Sequence, residues 1–250
     1  MKFAFASLAA PSGGLDALAA RAKEWGFEAV ELGYPLAGDP QAVRAGSDAA
    51  GVAIACLATR ISMPKKSRQR MAAAGELRAA LELAGRLGCR RVRILDTLVH
   101  PGLSANGAAV EMASWLLPLA DRAAGQGVTI VVENALYFRR ARDLWMLLES
   151  INHPNVAACW DLDCGVAAGE SPLVSVPVLN SRIQYARVRG GEDATVQTFV
   201  TRLKGIGYAG YLALVDEGTT AMGRLARIRA WAEPPPAGKE AKPKPQVVAK

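Results

Sequence analysis

The sequence predicts an α/β fold, a single-domain (β/α)8 barrel over residues 1–232. Three observations predict it. Short apolar runs alternate with helical segments eight times along the chain. Two of those runs, Val131-Val132-Glu133-Asn134 and Ala158-Cys159-Trp160-Asp161, end abruptly in carboxylates, at the strand end where α/β proteins place ligands. Eight units of roughly 25–35 residues fill the ~250 residues typical of a closed barrel. An open doubly wound sheet is the competing arrangement. No GxGxxG motif follows the first strand, which favours closure.

Residues 2–7 alternate apolar side chains and read as strand one. The stretch is too short and too lightly charged for a signal peptide. Pro11-Ser12-Gly13-Gly14 breaks it. Residues 15–25 carry the helical period, with Leu15, Leu18, Ala19 and Ala22 on one face, and Gly26 supplies a C-cap. Residues 29–32 form strand two. A short helix follows at 40–50, and strand three spans 52–57. The loop 59–70, with Arg60, Lys65, Lys66, Arg68 and Arg70, leads into a long helix ending at Leu87. Strand four is 91–95, followed by a loop over 96–105 and a helix over 108–124. Strand five is 128–132, and the helix over 141–151 shows an apolar face of Leu144, Leu147 and Leu148. Strand six is 155–160. Residues 172–179 hold only a short helix. Strand seven is 183–188, a helix covers 196–204, strand eight is 211–215, and the last helix is 219–231. Pro234-Pro235-Pro236 stops that helix. The Lys/Pro-rich tail over 233–250 is expected to be disordered.

Hydrophobic residues make up 51% of the chain, ample for a full core. No run of 18 apolar residues occurs, so no transmembrane helix is expected. Cys56, Cys89, Cys159 and Cys164 form no CxxC pair and read as reduced thiols of a cytoplasmic protein. The net charge is +7, and the tail holds four lysines against two glutamates. The basic excess left on the barrel suits a small anionic ligand as well as it suits nucleic acid.

Five segments in order resemble the xylose isomerase-like TIM barrels, the sugar phosphate isomerase/epimerase family. They are Gly26-Phe27-Glu28-Ala29-Val30-Glu31-Leu32, Leu87-Gly88-Cys89-Arg90-Arg91-Val92, Gly127-Val128-Thr129-Ile130-Val131-Val132-Glu133-Asn134, Trp160-Asp161 with its turn, and Gly207-Tyr208-Ala209-Gly210. The resemblance implies a divalent metal (Mn, Mg or Zn) at the C-terminal mouth, held by a Glu, an Asp, a His and a final Glu. Carried over position by position, the first Glu falls on Glu133 and the Asp on Asp161. The His falls on Arg187 and the final Glu on Val215, with Asp216 and Glu217 just after. A substrate-binding His often stands three residues after the Asp, and here that place is Cys164. Two ligands are kept and two replaced, which implies a degenerate metal site.

Arginine has no lone pair to give a metal and stays protonated. Placed at a ligand position it repels the ion and pairs with the orphaned carboxylates. Arg187 is therefore expected to replace the metal, with Arg189, two residues on, completing the charge balance. The alternative is a one-residue slip in strand eight that brings Asp216 or Glu217 to the mouth, with Glu133, Asp161 and Asp216 as the metal set. If the chain is an enzyme, Glu133 is the surviving base and Arg187 stabilises an enediolate. Otherwise Glu133, Asp161 and Arg187 form a buried network without chemistry, and the barrel binds an anionic metabolite or a protein partner. Arg60, Arg187 and Arg189 suit a phosphate or carboxylate. Glu31 either pairs Arg91 or Arg93 or touches a sugar-like substrate, and Asp163 and Cys164 can line the pocket. Trp160 and Tyr185 read as packing. His100 and His153 fall on no motif position, and two histidines cannot supply the cluster of a DNA-repair endonuclease. No nucleic-acid or membrane partner is expected, and the family resemblance leaves a homodimer open.

Overall fold

Alternation along the strands builds two separate layers. In the computed structural model, which describes residues 1–7, 14–97, 103–216 and 220–233, eight parallel strands close in sequential order. They are β1 (Lys2–Ser7), β2 (Ala29–Gly33), β3 (Ala53–Ala58), β4 (Arg91–Leu95), β5 (Thr129–Glu133), β6 (Val156–Asp161), β7 (Ile183–Val188) and β8 (Tyr211–Asp216). Closure is direct: β1 pairs with β8 from Lys2 opposite Tyr211 to Ser7 opposite Asp216. That pairing removes the open-sheet alternative.

Outward positions such as Phe3, Phe5, Val30, Leu32, Val92, Ile94, Trp160 and Leu214 are buried beneath the helices. Inward positions are small: Ala4, Ala6, Ala29, Ala55, Cys56, Ala157, Cys159 and Ala213. Barrel interiors usually fill with bulky branched side chains. Here the room left by Ala and Cys is taken by Tyr185 and by long charged side chains reaching toward the C-terminal end.

The helices are α1 (Gly14–Glu24), α2 (Pro40–Ala50), α3 (Ser67–Leu87), α4 (Ala105–Gly125), α5 (Ala141–Ile151), α6 (Leu162–Ala167), α7 (Pro172–Leu179), α8 (Asp193–Gly205) and α9 (Thr220–Ala232). Asp39 caps α2 through the N–H groups of Gln41 and Ala42, and Gly51 closes it at φ 67°, a conformation that glycine adopts without strain. Helix α4 starts at Ala105, earlier than periodicity indicates, because the Ser104 hydroxyl accepts from Gly107 N at 3.1 Å. Helix α3 likewise starts at Ser67, so part of the cationic loop is its first turn. No described helix is long and apolar enough to cross a membrane. The tail from residue 234, His100 and Glu217 lie outside the described residues.

Helix α6 is absent from the sequence reading. Six residues are too few for a periodic signal, and Gly165 lies inside. Its cap is Asp161 itself, whose Oδ1 accepts from Cys164 N at 3.0 Å. The strand-end acid therefore also starts a helix, which turns the chain sharply across the mouth. Gly165 permits this turn. A Cβ there would lie 2.6 Å from Cζ2 of the fully buried Trp160. Gly165→Ala is expected to lower stability by about 1–3 kcal/mol in urea unfolding, and an unchanged midpoint would count against this packing.

Candidate functional site

The inward positions of five strands deliver charge to the C-terminal end of the barrel. Asp161 of β6 stands beside Arg187 of β7 in the strand register, and Glu133 ends β5. Arg187, buried at the centre, divides its guanidinium among three acids. Its Nη1 donates to Glu133 Oε1 at 3.0 Å and to Asp161 Oδ2 at 3.4 Å, and its Nη2 to Glu31 Oε1 at 3.0 Å. Arg189 lies one step nearer solvent. Its Nε donates to Asp161 Oδ2 at 2.9 Å, and its Nη2 to Glu133 Oε1 at 3.3 Å and Cys164 Sγ at 3.2 Å. Arg93 of β4 donates to the remaining oxygen of Glu133 and, at 3.1 Å, to the Thr59 carbonyl.

Three carboxylates (Glu31, Glu133, Asp161) thus meet three guanidinium groups (Arg93, Arg187, Arg189), and the formal charge closes to zero. A buried carboxylate without a cation would cost several kcal/mol. Burial pushes the Glu133 carboxyl up, but Arg93, Arg187 and Arg189 together outweigh it and hold the group below the ordinary carboxylate range. Burial and the neighbouring Glu133 charge raise Asp161, against Arg189 and Arg187. Cys164 is pushed up to about 12, first by burial and then by the Asp161 charge, so its sulfur stays a thiol at neutral pH.

The loops around the cluster are pinned by polar side chains. Asn134 Oδ1 accepts from Asp161 N at 2.7 Å, and its Nδ2 donates to the Asp161 carbonyl at 3.1 Å, tying the ends of β5 and β6 together. Buried Asp96, just past β4, accepts from the backbone N–H groups of Leu136, Tyr137 and Phe138. Asp163 accepts from Arg189 N at 2.7 Å and Gly190 N at 3.1 Å. Arg224 of α9 donates to the carbonyls of the same two residues, each at 2.6 Å.

Glu133, Arg187, Asp161, Arg189, Cys164 and Glu31 therefore come together. Two expectations need correction. Glu31 makes its ion pair with Arg187 and not with Arg91 or Arg93. Arg91 instead donates to the Gln184 carbonyl at 3.1 Å, and its guanidinium lies 5.5 Å from the Tyr211 ring centroid. The set Glu133, Asp161 and Asp216 does not assemble. Val215 faces inward, and Asp216 turns to Thr220 at 2.7 Å and Arg224 at 3.8 Å. Among the described residues, the group able to offer ligand atoms within 4.8 Å of one another is Glu133, Asp161 and Cys164. His153 is far from this chemistry in kind: its Nδ1 accepts from Asn155 N, and its Nε2 lies 3.3 Å from Asp121.

Arg93 is the member whose role the sequence reading missed. The signal was present in Arg91-Val92-Arg93-Ile94-Leu95, where apolar residues alternate with arginines on a strand whose one face must look into the barrel. Asp96 and Asn134 carry no comparable signal.

The cluster floors an open cavity of about 510 Å³, whose wall includes Glu31, Tyr34, Arg60, Arg93, Arg189 and Val215. A family model described as xylose isomerase-like TIM barrel matches residues 19–221. The chain belongs to that family. Among solved structures, D-allulose 3-epimerase from Methylomonas sp., in complex with D-allulose, matches with a TM-score of 0.75 and 17% identity, over 88% of this chain and 85% of that one. The apo 3-keto-D-glucoside 4-epimerase of E. coli gives 0.79 and 13%, over 92% and 99%. An AP endonuclease, family 2, from Brucella melitensis gives 0.77 and 18%, over 89% and 96%. At these identities the likeness is one of fold. Comparison with curated protein sequences returns no match.

In this xylose isomerase-like barrel, Arg187→Leu is expected to cost about 3–5 kcal/mol in chemical unfolding, because it strands buried acids. A loss under about 1 kcal/mol would mean that the acids are answered otherwise. Cys164 should alkylate with iodoacetamide at pH 8 at least about tenfold more slowly than in the urea-unfolded chain, since only the thiolate reacts. Equal rates would contradict the raised thiol.

Proposed function

We propose that the mouth is a ligand site of the sugar isomerase/epimerase type in which guanidinium groups occupy the place of the family's divalent metal. Arg187 carries this reading. It sits on the strand position that the resemblance gives to the metal-binding histidine, and it bonds to the two acids the resemblance keeps, Glu133 and Asp161.

The donor set present does not fit a divalent cation. Both oxygens of Glu133 accept from arginine. Asp161 Oδ2 accepts from Arg187 and Arg189, and Oδ1 from Cys164 N. The third donor, Cys164, is a protonated thiol, and Val215 supplies no donor at all. Hard cations need several free oxygen or nitrogen lone pairs, and a cation here would also face three fixed positive charges.

The same arginines decide against Glu133 as a strong base. Proton abstraction beside a carbonyl works best with a base whose pKa lies near ambient pH, and Glu133 is held well on the acid side of that. The geometry therefore favours binding of a small sugar-like or anionic ligand over metal-dependent epimerisation.

Calorimetric titration with Mn²⁺ tests the proposal. The wild type should show no saturable site, and the Arg187→His/Val215→Glu double variant, which restores two ligands, should show one. Tight one-to-one binding by the wild type would overturn the reading.

A further inference from the structure

The outer surface of the barrel carries an apolar face that its own helices leave uncovered. Helix α7 holds no charged residue, and Leu173, Val174, Pro177 and Val178 are exposed on it. Val166 of α6, just ahead of it in the chain, is exposed as well. Beside them stands Trp145 of α5, 43% exposed. Two contacts fix how α5 and α7 lie together. At one end Glu170, just before α7, accepts from Ala141 N at 2.8 Å. At the other end Arg182, just past α7, pairs with Glu149. Trp145 lies midway between Ala141 and Glu149 on α5, so it is level with the exposed side of α7.

A half-open tryptophan among leucine and valine has the composition of an interface core, where charge is depleted and aromatic residues are enriched. From Ser171 to Ser181 the chain carries no charge at all. These side chains together expose roughly 450 Å², close to the apolar share of the about 800 Å² that each partner buries in a standard interface.

The charges that border the face indicate what covers it. Arg142, Trp145 and Glu149 form one stripe along α5 at helical spacing, turned away from the buried Leu144, Leu147, Leu148 and Ile151. Arg142 has no acid partner among the described residues, and Arg182 uses only Oε1 of Glu149. A stripe that runs basic, apolar, acidic complements itself when turned end for end. Two copies of α5 laid antiparallel about Trp145 set Arg142 of each against Glu149 of the other. A two-fold interface requires this, because it brings the same patch of both copies together. A bilayer-facing surface instead carries Lys and Arg around its apolar side chains, and here Glu149 and Glu170 border the face.

We infer that the outer face of α5, α6 and α7 pairs two copies of this chain about a two-fold axis passing near Trp145. The inference does not depend on the proposed ligand site.

The experiment is sedimentation velocity of the full chain. At about 50 µM the wild type should sediment as a species of about twice the 26.4 kDa of one chain. Trp145→Glu should raise the dissociation constant at least about a hundredfold, since the two-fold axis buries this ring twice. Trp145 is half-open in the single chain, so this variant is expected to fold, which circular dichroism checks. If it does not, Val174→Asp, exposed on α7, reads the same face and should give the same loss. Arg142→Glu should weaken the dimer by about tenfold, because it sets like charges against each other across the axis. A wild type that stays monomeric at about 50 µM overturns the inference, and so does a dimer indifferent to both Trp145→Glu and Val174→Asp. A monomer that floats with phosphatidylcholine–phosphatidylglycerol vesicles gives this face to a bilayer and overturns it too.

Discussion

Everything at the mouth of this barrel depends on one guanidinium. Arg187 touches Glu31, Glu133 and Asp161 at once, and no other group in the cluster reaches all three. An ion pair at this depth is a balance of large opposing terms, desolvation against Coulomb attraction. It persists only because the arginine's planar fork satisfies several acceptors in fixed directions. Arg93 and Arg189 then close the charge from either side. Such a cluster is weak evidence of stability for its own sake. Its position on the cavity floor is what the proposed ligand site rests on.

The barrel wall makes the cluster affordable. Three arginines and three acids need volume, and Ala4, Ala6, Ala29, Ala157 and Ala213 leave it free inside the sheet. The apolar material has moved outward, where Phe, Leu, Ile and Trp side chains fill the layer under the helices. The lips are held by acids and amides acting on backbone: Asn134 across β5 and β6, Asp96 under residues 136–138, Asp163 with Arg224 around Arg189. A rigid rim of this kind fixes charged side chains on strand ends and not on mobile loops, which lowers the cost of ordering them when a ligand arrives.

The cavity lies at the C-terminal mouth, the face on which (β/α)8 barrels carry their active sites. Fold by itself does not carry activity. On the proposed reading, the electrostatics of this mouth follow from residue type. An ion draws in lone pairs, whereas a guanidinium spends them. Glu133 is consequently a strong acceptor and a weak base, while Asp161 is raised by burial and by Glu133.

The barrel itself was legible in the chain. Period-2 strands, period-3.6 helices and glycines at the helix ends are local signals, and eight repeats of them in this length admit few arrangements. The pairing of Glu133, Asp161 and Arg187 was expected as well, because the family resemblance puts Arg187 at a position that meets the two acids. What counting could not supply was partner choice across the barrel. Glu31 and Arg187 are 156 residues apart, and whether Glu31 met Arg91, Arg93 or Arg187 depended on strand stagger, which the closed sheet alone decides. The fate of Asp216 was decided in the same way: the pleat turns Val215 inward and sends the acid to Arg224. Sequence determined which charges end the strands, since that is a property of local pattern. Tertiary structure determined which charges answer one another, since that is a property of distance.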